Sequence, residues 1–227
     1  MSDYIEVIAI VEGKTEQVFV ESVLQPYLAQ QNIFISATQV SKPGQKGGDV
    51  RFSRVSRDIE RHLKQRPDTY VTTLVDYYGV KEWPGLDTLP AGLEPVGIAE
   101  HLNGAARASV VEQCAAQQAE RRFIPFIAVH EFEAWLFSDS AILAAELGIP
   151  EPQVVRVLDE CGEPESINNG RETAPSKRLD GWSGGKFAKT SKGIAIAERI
   201  GIPQMRAQCP LFNAWIARFE ALMLEPA

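Results

Sequence analysis

Short apolar runs alternate, over the first two thirds of this chain, with longer stretches whose apolar residues recur at helical spacing. Tyr4 to Val11 (YIEVIAIV) is β-branched and apolar, as a central strand is. It stops at EGKTE, and Thr15 to Gln30 then reads as a helix with Phe19, Val23 and Leu24 near one face and Val20 and Leu28 beside them. Asn32 ends that helix, and Ile33 to Val40 is a second strand. SKPGQKGGD is a loop by composition. Val50 to Gln65 is helical, with Val55, Ile59 and His62 or Leu63 facing the core. Tyr70 to Val75 is a third strand and stops at Asp76. Tyr77 to Ala99, rich in Gly and Pro, is a long loop of the kind that carries function. Ile98 to Arg122 is a helix of small residues, Phe123 to Val129 a fourth strand, and Ala134 to Leu147 the next helix. From Pro150 onward the pattern gives no strand, only short helices and one polar loop, INNGRETAPSKRLDGWSGGK. No repeat is present.

The order β-α-β-α-β-α-β-α predicts an α/β fold: a four-stranded parallel sheet flanked by helices, then a mainly helical C-terminal extension. The boundary falls near residue 148, giving an α/β domain over 1–148 and an extension over 149–227 packed on it. In such sheets ligands bind beyond the carboxyl ends of the strands.

A length of 227 residues and an apolar share of 44% suit one large domain, or a domain with an extension, around a sizeable core. No apolar run approaches the roughly 20 residues that span a bilayer. MSDYIEVIAIV carries Asp3 and Glu6 and no basic leader region, so a cytoplasmic location and no membrane partner are expected. Cys114, Cys161 and Cys209 lie 47 and 48 residues apart, which is neither a disulfide framework nor a zinc spacing. The three histidines, His62, His101 and His130, are equally scattered.

A net charge of −7 argues against general nucleic-acid binding, but the charge is uneven. Val40–Arg66 and Gly170–Arg206 each hold eight Lys/Arg against three Asp/Glu. Two basic islands can frame a phosphate-bearing ligand, with Lys46, Arg51, Lys177, Arg178 and Lys186 as candidate nucleic-acid contacts; solvated helix faces are the plainer reading. Ser176, after Pro175, reads as a cap that aims Lys177 and Arg178. If that loop folds over the sheet edge, Lys177 can stabilise a developing phosphate charge.

The acidic residues select the chemistry. The first strand ends at Glu12, the third at Asp76, and the fourth at Glu131 and Glu133 of AVHEFEAWLF. One such residue is ordinarily a helix cap or a partner of a helix dipole. Three of four strands ending this way crowd carboxylates on one edge, where pairs about 6 Å apart repel by roughly 3 kcal/mol at an effective dielectric near 20. Hard oxygen donors without Cys or His favour Mg²⁺ or Mn²⁺ and phosphoryl chemistry. If Glu131 and Glu133 start a helix they point about 200° apart and one enters the site, with Glu133 preferred; on a strand both point one way. EGKT is no phosphate-wrapping loop: the first glycine of that motif would fall at Ile8. Gly13 is read instead as letting the strand turn sharply, with Thr15 as helix cap. Lys14 is a candidate neutraliser of the cluster.

These residues resemble the TOPRIM superfamily of topoisomerases, primases, maturation nucleases and overcoming-lysogenization-defect (OLD) nucleases. There the first strand ends in a catalytic Glu and the third in Asp-x-Asp. Glu12 in IVEGKTE matches the first motif, Asp76 in LVDYYG the start of the second, and Glu16 an acidic residue four after the Glu in the OLD branch. More closely, EGKTE, DYYG, HEFEAWLF, INNGRETAPSKR and CPLFNAW resemble the marks of a TOPRIM-like bacterial family of unknown function. The resemblance implies a TOPRIM/Rossmann-like fold, a metal set of Glu12, Glu16, Asp76, Glu131 and Glu133, and catalytic roles for Glu12 and Asp76. It implies a small Mg²⁺- or Mn²⁺-dependent nuclease-like protein, in phage defence beside an ATPase partner. One departure stands against it: Tyr78 replaces the second Asp, which removes a ligand and suits a non-catalytic module that binds nucleic acid or an ATPase.

Overall fold

The computed structural model describes residues 4–41, 50–167, 170 and 172–224. Its central sheet has the order β2 (Ile33–Gln39), β1 (Ile5–Val11), β4 (Thr69–Asp76), β6 (Phe123–Ile124), with β7 (Ile127–Ala128) also on β4. All pairings are parallel, in registers that include Val7 opposite Ile35 and Tyr70, and Asp76 opposite Ala128. A separate two-stranded parallel pair joins β3 (Val50–Arg51) and β5 (Val80–Lys81), the latter inside the long loop after Asp76.

Side chains alternate across a strand, so the sheet has two buried faces. Val7, Ala9, Val11, Tyr70 and Leu74 face one core; Ile10, Val71 and Val75 face the other. The second core is closed by α3 (Phe52–Gln65), through Val55, Ile59 and Leu63, and by α4 (Pro95–Gln113), through Ala99, Leu102, Ala106 and Val110. Leu63, not His62, is the buried member of its pair.

The first core is closed by α1 (Lys14–Phe19) and α2 (Gln25–Ala29), and by helices from the C-terminal third. After α6 (Ser140–Leu147), α7 (Glu151–Cys161) and α8 (Pro175–Trp182), the chain forms α9 (Ile194–Ile200), α10 (Ile202–Gln208) and α11 (Pro210–Leu222). Ile196, Met205, Phe212, Trp215 and Phe219 are buried in the same cluster as β1. Each such side chain contributes roughly 1.5–3 kcal/mol. Trp215 stacks on Phe126 at 4.5 Å, and its indole N–H donates to Thr72 Oγ1 at 2.9 Å. No strand follows Pro150 among the described residues.

Four local departures from the sequence pattern have physical causes. The first helix is not uniform: Val20–Leu24 is a π-helical turn, immediately before Pro26, which cannot donate to Ser22 and whose ring clashes with that carbonyl. The fourth strand is split in two at Pro125, an imino acid tolerated on a sheet edge. Thr73 mends the break: its Oγ1 donates to the Phe126 carbonyl and accepts from the Phe126 N–H, both at 2.9 Å. The predicted helix Ile98–Arg122 breaks after Cys114 and resumes as α5 (Ala119–Arg122), with Gln118 at φ +55 between. Arg122 is buried at that corner and donates to the carbonyls of Leu63, Arg66, Thr69 and Gln117. Finally, Phe132–Ser138 is a 3₁₀ segment rather than the start of a helix; the helix begins after Asp139, whose carboxylate accepts from the Ile142 N–H at 2.8 Å.

Candidate functional site

The carboxyl ends of β1 and β4 lie side by side, which fixes Glu12 and Asp76 together. The Glu12 N–H donates to the Leu74 carbonyl at 3.2 Å, extending the β1–β4 ladder by one step. Its carboxylate lies over the turn after β4, where the Asp76 N–H donates to Glu12 Oε2 at 3.4 Å. Gly79 closes that turn, and a Cβ there would stand 2.6 and 2.9 Å from the two Glu12 oxygens. The glycine of DYYG is thus a clearance for Glu12.

Gly13 is the N-cap of α1 with φ −152, an extended conformation open to any residue, so the predicted need for a sharp glycine turn is not met. The predicted cap, Thr15, lies inside the helix instead, its hydroxyl 2.8 Å from that of Thr190. Glu16 occupies the first turn of α1 beside Glu12.

Glu131 is the N-cap of the 3₁₀ segment and Glu133 its buried second residue. An extended cap followed by a 3₁₀ turn does not impose the 200° separation of an α-helix, and both carboxylates reach one cation. Lys189 Nζ stands 2.7 Å from Glu133 Oε1 and 3.9 Å from Glu131 Oε1. Glu131 is also gripped by Ser176, whose backbone N–H and hydroxyl donate to its two oxygens at 2.9 and 2.8 Å. Ser176, read from the sequence as a cap aiming its neighbours, is the second residue of α8 and serves Glu131.

The electrostatics follow from this crowding. Burial, then the carboxylates of Glu16, Glu12, Glu133 and Glu131, push Asp76 well above the usual carboxylate range. Among the described residues no hydrogen bond to its carboxylate opposes this. Burial also raises Glu12, Glu16 and Glu133, although Lys189 pulls each of them back down. For Lys189, whose side chain is half-exposed, burial alone would lower the pKa; Glu133, Glu131 and Asp76 outweigh it and raise it.

Five carboxylates against one ammonium leave an excess of negative charge that a divalent cation would offset, and an all-oxygen donor set suits Mg²⁺ or Mn²⁺. Glu12, Glu16 and Asp76 fit such an ion by chemistry. Among the described residues, however, no three His, Cys, Asp or Glu side chains are grouped closely enough to hold one as they stand.

The candidate basic contacts are dispersed. Lys177 is exposed and, with Glu131, Ser176, Asp180, Phe187 and Lys189, lines a cavity of about 280 Å³. Arg178 turns back to the Thr173 carbonyl, Lys186 is exposed, Arg51 pairs with Glu82 at 2.9 Å, and Lys46 lies outside the described residues. The residue that sequence reasoning missed is Lys189. Its only signal was membership of the second basic island. Tyr78, in place of the second Asp, is exposed and stacks on the His130 ring at 6.2 Å.

A family model described as "Domain of unknown function (DUF4276)" matches residues 11–220. No curated protein matches the chain. Among solved structures, the C-terminal region of the Xanthomonas campestris pv. campestris OLD protein is similar at 14% identity. That alignment covers 99% of this chain and 98% of the other, with a TM-score of 0.37.

Proposed function

We propose that this chain, which belongs to the family described as Domain of unknown function (DUF4276), is a divalent-metal-dependent phosphodiesterase acting on DNA or RNA. The observation that carries the reading is the gathering of Glu12, Glu16, Asp76, Glu131 and Glu133 at the carboxyl edge of a parallel sheet, beside two lysines. Glu12, Glu16 and Asp76 are the residues that would hold Mg²⁺ or Mn²⁺, while Glu131 and Glu133 face Lys189. Such an ion supplies Lewis-acid polarisation of a phosphoryl oxygen. The chain's own residues do the rest. Lys177 binds a phosphate oxygen from the mouth of the adjacent cavity, and Lys189 adds positive charge where negative charge builds up in the reaction. Burial and neighbouring carboxylates raise the pKa of Glu12 and Asp76, a crowding that a bound cation would relieve. A cytoplasmic role in phage defence beside an ATPase partner is the setting that the motif resemblance suggests.

A second reading, a non-catalytic module binding nucleic acid or an ATPase, is favoured by Tyr78 and by the absence of a ready-grouped metal set among the described residues. Cleavage of single- and double-stranded DNA and RNA with Mn²⁺, by the wild type and Glu12→Gln, separates the two. The phosphodiesterase reading expects cleavage that falls by at least about 100-fold in the variant. Wild-type protein with no cleavage on any substrate, or cleavage that survives the substitution, refutes it.

A further inference from the structure

Resting on that reading, we infer that Lys189 stands where a second cation would otherwise sit, so that the site takes one divalent ion and not two. Glu131 and Glu133 are already engaged by the protein. Both Glu131 oxygens accept from Ser176, and Glu133, 2% exposed, is paired with the Lys189 ammonium at 2.7 Å. The same ammonium stands 3.9 Å from Glu131 Oε1, so one positive charge faces both carboxylates.

Lys189 is held there by its backbone. It opens a π-helical turn, Lys189–Gly193, in which the Ser191, Lys192 and Gly193 N–H groups all donate to the Ala188 carbonyl. Thr190 is tied to Thr15 on α1, and Gly193 is buried where a Cβ would meet the Phe132 ring at 3.5 Å. The turn is therefore clamped between α1 and the 3₁₀ segment that carries Glu133. An ammonium fixed on a clamped turn repels a dication at the same carboxylates. Tyr78, where a second Asp would supply another negative donor, supplies no charge. The donors left are Glu12, Glu16 and Asp76, and the Asp76 carboxylate accepts no hydrogen bond from the described residues.

The test is the stoichiometry of Mn²⁺ binding to the full chain by titration calorimetry, which does not depend on turnover. The wild type and Lys189→Arg, which keeps the charge, are expected to bind one ion, and Lys189→Met two. Glu131→Gln, with an intact Lys189, is expected to keep one ion at an affinity within about threefold of wild type, and Asp76→Asn to lose it. Two ions on the wild type, one on a folded Lys189→Met, or loss of the ion in Glu131→Gln each overturns the inference while leaving the proposed activity standing. No Mn²⁺ on the wild type overturns both. Should Lys189→Met not fold, the wild-type count and the Glu131→Gln affinity still decide.

Discussion

Glu165 offers a stability test in which sign and size both follow from the structure. It is buried beneath the C-terminal helices. Its carboxylate accepts from the Leu211 and Phe212 N–H groups, at 2.7 and 3.0 Å in the first turn of α11, and from the Trp135 indole at 3.3 Å. It thus joins HEFEAWLF to CPLFNAW. Burial raises its pKa from 4.5 to about 7, against the lowering effect of these three donors. A carboxyl that binds its proton more tightly in the folded chain stabilises the fold at low pH, and that stability is lost as pH rises from 4.5 through 7. Integrating proton linkage between these values gives a loss of about 2.5 kcal/mol from pH 5 to pH 8. Glu165→Gln removes the titration. It also turns an amide NH₂ toward a backbone N–H that had an acceptor, at a cost of roughly 1–3 kcal/mol at pH 5. The expected result is a variant less stable than wild type at pH 5, with the gap closing by about 2–3 kcal/mol at pH 8. Urea unfolding of both proteins in EDTA across pH 5–8 reads this directly, since the other raised carboxylates titrate equally in both and cancel. A gap that is flat, or that widens with pH, would refute the reasoning. It would mean that three donors and a helix N-terminus keep Glu165 ionised in spite of burial.

Three further outcomes are expected. Asp76→Asn should raise the melting temperature of the metal-free protein at pH 7, because it removes the cost that burial and four neighbouring carboxylates impose on ionising that carboxyl or on keeping it protonated, and should abolish any stabilisation by Mn²⁺; a lower metal-free melting temperature would count against the crowding. Gly79→Ala should leave the fold cooperative, since Gly79 has no positive φ, but should displace Glu12 and weaken Mn²⁺ binding at least about tenfold, measured by calorimetry; an unchanged affinity would show that Glu12 is not held by that turn. Truncation after Lys192 should yield insoluble or non-cooperative protein, because it strips Ile196, Met205, Phe212, Trp215 and Phe219 from a core shared with β1; a soluble truncate with a sharp unfolding transition would refute this.

Local pattern was enough to reveal the strands of the sheet and most helices. β-branched apolar runs ending in acidic residues have few other solutions, and parallel order follows once helices lie between them. Glu12 and Asp76 were legible for the same reason, since both directly follow neighbouring parallel strands. What the chain could not announce locally was decided by packing. Pro26 and Pro125 interrupt elements whose apolar patterns run straight through them, and the breaks are repaired by groups far away in sequence or by a change of helix type. The geometry of Glu131 and Glu133 depended on a 3₁₀ segment that periodicity cannot tell from an α-helix, because the segment is buried all round. Lys189 was one lysine among several in a basic island. Only the clamping of its turn by Thr15 and Phe132 brings that one ammonium to the carboxylates, and such contacts, between residues 56 or more apart in the chain, leave no mark on the local sequence.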